Sequence, residues 1–541
     1  MQYRRQGEMS GHAESKSVPP EERVRQFWLR FVLYLVIGLA CAYFSDWLPA
    51  GEGAKRIMTR IWGPALTASY PTTGRDQVTV MLIDDKDLSD YDEAWPVSLG
   101  FHQRRLLEML QYQPKAVFFD IVFLDDRKDP GLDGFIDAAC RARMAGVPVF
   151  IGAFSNPGIP VSRTQTAMLA RRVEAGGHAV PCIEAAYLNL KIDGFDQSVW
   201  EYDLNVPPAR VAHGEHGTEH GAPAAHGSAL AWPSPAARLY QVARPLAAHV
   251  TEEPMALVWG TETDPVNLEW LNNELHPQGA GAPCSATWKW HRVLPVGKAR
   301  PPLCPYQQVL PVRTLKRTNG LDADDLRHAI GNKYIVYGTQ LQSNGDVIVA
   351  PYHGRIAGAL LHAMALDNLL SFHGEPKSAG EFGHPGSETA TWFTLFALLV
   401  ISALTAYKSL LDIDDEARHV WFVKLAHKHI EHRPSQEWPH LSAAWRQWRM
   451  ACKASTLWLL PRLMIGLATV AVIATLIGIS YYWLNLGPLV WIEYALFPIA
   501  AEFLKLGREA TEFLEKAWHY AVGVKRAIVD TPASHAVTES V

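Results

Sequence analysis

Along this chain four long apolar blocks interrupt an otherwise mixed pattern: Phe27 to Phe44, Trp392 to Tyr407, Leu457 to Leu484 and Leu486 to Leu504. A helix needs roughly 20 apolar residues to cross the hydrocarbon core of a bilayer. The blocks therefore predict four transmembrane helices, at 27–45, 391–407, 457–484 and 485–505, the second on the short side. Between the first two blocks, short β-branched runs close on acidic or Gly-rich turns and lead into helical spacing. The run Val78 to Ile83 ends in Asp84 and Asp85, the run from Lys115 ends in Asp120, and Phe101 to Gln113 and Gly354 to Leu370 carry the helical period. Strands alternating with helices predict an α/β domain on a largely parallel sheet. The stretch from about 155 to 319 breaks this pattern, being rich in Pro, Gly, Ala and Trp, and is expected to be a long irregular insertion.

Basic residues near the blocks set the orientation. Arg23, Arg25 and Arg30 lie at the start of the first, and Arg418, Lys424, Lys428, Arg433, Arg446, Arg449 and Lys453 fill the loop between the second and third. By the positive-inside rule both regions are cytoplasmic. An even number of spans then puts 1–26, 408–456 and the tail 506–541 inside and 46–390 outside; Lys505, Arg508, Lys516, Lys525 and Arg526 agree. A cleaved secretory leader ending near Ala40-Cys41-Ala42 is the competing reading of the first block. The long basic start and the flank of Trp28, Tyr43, Phe44 and Trp47 favour an anchor. Glu493 interrupts the last block between Pro488 and Pro498. A carboxylate at depth costs roughly 3 kcal/mol on insertion scales, so Glu493 reads either as a coupling site within the helix bundle or as an interfacial residue beside Trp491.

The formal net charge of −5 gives no reason to expect a nucleic-acid partner. Of six cysteines, Cys140, Cys182, Cys284 and Cys304 fall in the outside region, Cys41 in a span and Cys452 on the inner loop, a distribution that permits disulfides. Cys284 and Cys304 flank a Pro-rich segment, and linking them would stabilise the fold by roughly 3 kcal/mol on the loop-entropy model. Unpaired thiols are the other reading. Within the insertion, His213, His216, His220 and His226 stand among Gly, Ala and Pro. They read as metal ligands for zinc, nickel or copper, with Glu215 and Glu219 adding oxygens, or as a solvated loop of weak affinity.

The carboxylates offer the remaining chemistry. Asp84, Asp85, Asp120, Asp125 and Asp126 fall at the carboxyl ends of the expected strands, where open α/β sheets place ligands. Either they bind a ligand or a divalent cation, the one cofactor left open, or they cap the following helices. The run Asp84-Asp85-Lys86-Asp87 superficially matches the aspartate-x-aspartate start of haloacid-dehalogenase-type phosphotransferases, but Leu88 and Ser89 stand where that family has a Thr. A carboxylate-dependent hydrolase is accordingly the least favoured function. His362 reads as a core residue or as one facing the sheet rim.

A longer pattern runs through these residues. It opens with the strand to Asp84-Asp85, Trp95-Pro96, His102, and the strand to Asp120 with Phe123. It closes with Ile335-Val336 to Gly338, Asp346, Pro351, Gly358, His362-Ala363 and Asp367 to Leu370. This resembles the CHASE type 2 domain, a sensory domain held outside the membrane in bacterial receptors. The pattern departs from that family at Val97 to Gly100, where another aromatic and an Arg usually follow the Trp-Pro pair. The resemblance implies one span before the domain, about three after it, a bacterial inner-membrane location with the domain on the periplasmic side, and a separate catalytic output. It adds Asp346 to the candidate ligand residues. No output domain follows here: the loop Lys408 to Ser455 holds no Gly-rich nucleotide-binding run and no phosphoacceptor helix, so no enzyme is expected. The expectation is a sensor acting through its spans on a cytoplasmic effector in trans, with an envelope protein as the other kind of partner. The alternative is a membrane scaffold with no small-molecule ligand. Receptors of this layout often dimerise, and the oligomeric state stays open.

Overall fold

The computed structural model of the chain describes residues 20–44, 59–60, 63–64, 66–67, 69–124, 128–154, 161–194, 196–206, 232–244, 254–263, 284–285, 302–316, 322–341, 346–380, 387–431, 464 and 466–487. The chain divides into two compact units, one of 52–390 with 480–490, the other of 1–51, 391–479 and 491–541.

The first unit is built on a six-stranded sheet of β1 (Val78–Asp84), β2 (Ala116–Phe119), β3 (Val149–Phe154), β6 (Ile183–Leu188), β11 (Gln308–Pro311) and β12 (Tyr334–Gln340). Its order is β11-β1-β12-β2-β3-β6, with every neighbouring pair parallel. Among the described residues, four two-stranded pairs lie outside it. They are β4 (Arg172–Ala175) with β5 (His178–Pro181), β7 (Glu201–Tyr202) with β10 (Met255–Ala256), β8 (Asn205–Val206) with β9 (Trp232–Pro233), and β13 (Val347–Ala350) with β14 (Gly354–Ala357). An all-parallel sheet must be covered on both faces, and the sequence supplies the helices: α2 (Asp85–Asp90), α3 (Leu99–Leu110), α4 (Leu132–Met144), α5 (Arg163–Ala170), α6 (Pro235–Ala243), α7 (Ala323–Ile330) and α8 (Ala359–Ser371).

Alternation along the strands sorts the two faces. Met81, Ile83, Val117, Phe119, Ile335 and Tyr337 join Phe101 and Leu106 of α3 and Phe135 of α4 in one core. Phe119 and Phe135 are fully buried and meet edge to face at 5.3 Å, so truncating either to Ala costs about 3–5 kcal/mol. Helix α3 starts where Ser98 accepts the Phe101 N–H, a cap worth about 1 kcal/mol. Helix α8 lies against β1 and β12 on the opposite face. There a Cβ on Gly338 would lie 2.6 Å from the Ala359 Cβ, which is why β12 carries a glycine at its centre.

Two features differ from the sequence expectation. The stretch 155–319, read as an irregular insertion, supplies both edge strands of the sheet, β6 and β11, together with α5 and α6. These strands are short, carry Ala and Pro rather than β-branched runs, and pair on one side only, so their pattern is weak. The segment from Gly354, read as helix throughout, begins with the β13–β14 hairpin, whose turn puts Tyr352 and Gly354 at positive φ, and becomes helical only at Ala359. Two disulfides staple the unit, Cys140–Cys182 and Cys284–Cys304.

In the second unit, α1 (Pro20–Phe44) contains the first apolar block and α9 (Glu388–Glu431) the second. Tyr34 is fully buried against Ala406, with Phe27, Phe31 and Ile37 around them, and Arg30 donates from Nη1 to Ser409 Oγ at 2.5 Å. Among the described residues two helical stretches, Glu388–Leu410 and Gly466–Trp483, are long and apolar enough to cross a membrane. Most of the last block, Glu493 included, lies outside the described residues.

Candidate functional site

The carboxyl edge of the sheet carries two buried polar clusters on either side of β12. In the first, Asp84 ends β1 and begins α2. Its carboxylate accepts the Asp87 N–H at 2.7 Å while the Asp87 carboxylate accepts the Asp84 N–H at 3.0 Å, a reciprocal cap. Arg313, delivered by the turn after β11, donates from Nη1 to Asp84 Oδ2 at 2.7 Å, and its N–H reaches Asp87 Oδ1 at 2.8 Å. Burial, then the Asp84 charge, pushes Asp87 up to about 7, against the pull of Arg313 and the backbone donors. This cluster closes the β1–α2 turn: Asp84 is occupied by a cap and a cation, and Asp85 is exposed on the first turn of α2.

In the second cluster, Asp120 follows β2, its N–H bonded to the Tyr337 carbonyl at 2.8 Å so that the parallel ladder continues. From α8, His362 places Nε2 3.5 Å from Asp120 Oδ1 and Nδ1 2.9 Å from the Tyr202 hydroxyl. Burial pushes the Tyr202 phenol up, so it stays protonated and able to donate. With Tyr202 donating to Nδ1, the proton of a neutral imidazole sits on Nε2, facing Asp120. Asp346 enters from the start of β13, where Thr339 Oγ1 donates to its Oδ2 at 3.3 Å. A Cβ on Gly358 would come within 2.3 Å of Asp346 Oδ1, so Gly358 is the residue that admits this carboxylate. Burial first, then Asp120, pushes Asp346 up to about 7, while His362 opposes. The raised Asp346 carboxyl is thus the group of this corner that takes up or releases a proton near neutrality, with Asp120 and His362 as its neighbours.

The fold thus brings Asp120 and Asp346 together and sets Asp84 and Asp85 apart from them. Asp125 and the histidines 213, 216, 220 and 226 lie outside the described residues. Among the described residues no three His, Cys, Asp or Glu side chains converge to hold a metal ion. His362 is both buried and turned to the rim. Tyr202 and Arg313 escaped the sequence reading because their partners are distant in the chain, and Asp87 was noted only within the Asp84–Asp87 run. Asp87 alone had a local signal, its spacing from Asp84 in a capping box. At the other end of α8, Asp367 is fully buried, accepts from Tyr70 and Ser371 at 2.9 Å each, and is pushed up to about 7 by burial. Beside it Asn368 binds the Val258 N–H and carbonyl and the Tyr70 hydroxyl, tying the domain's entry segment to α8.

A third feature concerns the turn that follows the apolar helix Gly466–Trp483. Ser378 and Leu486 form a parallel bridge, with the Ser378 N–H to the Asn485 carbonyl at 3.0 Å and the Gly487 N–H to the Ser378 carbonyl at 2.8 Å. Asn485 Nδ2 donates to the Glu375 and Pro376 carbonyls at 2.7 and 3.1 Å. Lys377 donates to the Tyr481 carbonyl and lies over the Tyr481 and Phe372 rings at 4.4 and 5.0 Å; burial lowers it to about 8. A Cβ on Gly487 would lie 2.6 Å from the Ala256 Cβ. The segment 480–487 is therefore built into the α/β unit rather than laid over it.

The CHASE2 domain family model matches residues 54–404, more than half of the chain. The chain belongs to the CHASE2 domain family. The landmarks of the pattern have physical meaning in this CHASE2 protein: Gly338 and Gly358 admit α8 and Asp346, and Asp367-Asn368 lock the entry segment. No curated protein and no solved structure matches it.

Proposed function

We propose that this CHASE2 protein is a multi-pass sensor of the bacterial inner membrane, with its α/β domain on the periplasmic side and four spans that act on a separate cytoplasmic effector. The observation that carries this reading is the docking of 480–487 onto the domain. A turn joined to the domain by backbone hydrogen bonds shares its side of the membrane, as an even number of spans requires. Residues 480–483, which end the apolar helix, belong to the same compact unit as β10 and the Glu375–Ser378 segment, which supports a link between the domain and this helix. A sensor needs a ligand that binds two conformations unequally, and a link of this kind gives the outer state an inner consequence.

The test has two arms on the full chain. With Cys41 and Cys452 replaced by Ser, a Trp483→Cys variant, exposed at the turn, should react with a membrane-impermeant maleimide on intact cells at the rate of an Asp92→Cys control in the domain. Reaction only after lysis would overturn the topology. Thermal unfolding in nanodiscs against divalent metals, nucleotides, sugars, amino acids and small neutral aromatics should show a saturable rise for one class. Silence throughout would favour the scaffold function.

A further inference from the structure

A cavity of about 200 Å³ opens at the carboxyl end of β2, beside the acidic clusters and separate from them. Its wall is mostly apolar, with Trp95, Val97, Ile121 and Phe123 around it, and Leu124, 46% exposed, at its mouth. The polar groups that reach it are His102, Thr164 and Asp129. We propose that this cavity is the ligand site of the domain and takes a small, uncharged molecule consisting of one aromatic ring with a short substituent.

Size, charge and position each narrow the occupant. An apolar cavity of about 150 Å³ stays dry and accepts benzene, so 200 Å³ holds one ring with a few further atoms. Among the described lining residues there is no Lys or Arg to balance an anion, and Asp129 would repel a carboxylate. The wall offers a cation little more, because the Asp129 oxygens already accept the Leu99 and Gly131 N–H groups at 2.8 Å each. Trp95 and Phe123 give an aromatic guest the faces and edges such rings prefer. The position is that of ligands in open parallel sheets, beyond the strand ends. His102 lines the cavity and its Nδ1 lies 3.3 Å from the Tyr337 hydroxyl on β12, so an occupant meets the central strand through His102. This inference deepens the sensor reading by naming its ligand class, and the binding test stands whether or not the spans transmit.

The experiment measures binding of indole, p-cresol and 2-phenylethanol to the full chain in nanodiscs, by calorimetry or saturation-transfer NMR. Phenylacetate and phenethylamine serve as charged controls. Comparison is with Leu124→Trp, which fills the mouth, with Val122→Phe as a smaller fill, and with Val161→Trp, 63% exposed and outside the cavity. Partition into lipid is common to all variants and cancels. At least one neutral probe should bind saturably, lose about tenfold or more in affinity in both filled variants, and keep it in Val161→Trp. The charged controls should bind about tenfold more weakly or worse. Absence of saturable binding by all three neutral probes, binding indifferent to the filled variants, or equal binding of the charged controls would each overturn the proposal. Binding that passes these tests without any change on the cytoplasmic side would refute transmission and leave the site standing.

Discussion

Replacing Asp346 by Asn tests the raised carboxyl at the sheet rim. The Asp346 carboxyl titrates at about 7 in the folded chain, against an ordinary 3.8, because burial and then Asp120 disfavour its ionised form. A folded value above the unfolded one contributes stability that is full below about pH 4 and is lost as pH rises through about 7. The gap corresponds to at most about 4 kcal/mol at 1.36 kcal/mol per pH unit. Asp346 is only half-buried and part of its shift comes from the Asp120 charge, so about 2 kcal/mol is the expected size once solvent screening is included. Asn cannot ionise and keeps an acceptor for Thr339. Asp346→Asn should therefore match the parent near pH 4 and exceed it by about 2 kcal/mol at pH 8, or roughly 4–8 °C in melting temperature at 2–4 °C per kcal/mol. The assay is thermal unfolding of the full chain in nanodiscs from pH 4 to 8.5. An Asp120→Asn variant should move the wild-type pH midpoint downward by removing the neighbouring charge. A difference that does not vary with pH, or an Asn variant less stable at pH 8 than at pH 4 relative to the parent, would refute the assignment.

Other consequences can be read from the same architecture. Removing the Cys140–Cys182 link with two Ser substitutions frees a loop of 42 residues and should cost about 4 kcal/mol on the loop-entropy model, seen as a lower denaturation midpoint. Arg313→Met leaves Asp84 and Asp87 buried without their cation and should cost about 3–5 kcal/mol at pH 8. The loss should shrink on acidification as Asp87 takes up its proton, and a loss that grows on acidification would contradict the cluster. Gly358→Ala places a methyl 2.3 Å from Asp346 Oδ1 and should destabilise by about 1–3 kcal/mol; Asp346→Asn does not relieve that clash, so the Asn variant should not rescue it. Ser378→Cys with Leu486→Cys, paired across the bridge, should form a disulfide in intact cells, read by non-reducing mass spectrometry, and failure to cross-link would sink the docking of 480–487.

The centre of the sheet was legible because β1, β2 and β12 are runs of mostly apolar and β-branched residues, nearly all buried, closing at Asp84, just before Asp120, and at Gln340. The family pattern likewise sat on recognisable residues at the ends and centres of these elements, such as Gly338 in β12 and Gly358 just before α8. The edges were not legible. Ile183–Leu188 and Gln308–Pro311 pair with one neighbour each, and tertiary contact rather than propensity makes them strands. The site divided in the same way. Asp120 and Asp346 could be proposed from the ends of their strands, but that Asp346 meets Asp120 depends on the β13–β14 hairpin and on the space Gly358 leaves. Tyr202 and Arg313 come from the stretch with no readable period, so nothing local foretold their partners. The docked turn 480–487 was hidden for another reason: it falls where two apolar blocks meet and shows nothing of its partner, since every acceptor in its bonds to Glu375–Ser378 is a backbone carbonyl.

The central claim is that a state of the outer domain is felt inside the membrane, and the reactivity of Cys452, expected on the cytoplasmic side, tests it most directly. The full chain in nanodiscs is saturated with whichever compound most raises the domain's melting temperature, and the rate of Cys452 labelling is compared with and without it. The account predicts a changed rate that disappears when the Leu124→Trp variant no longer binds. A domain clearly stabilised by the compound while Cys452 reacts at an unaltered rate would contradict it.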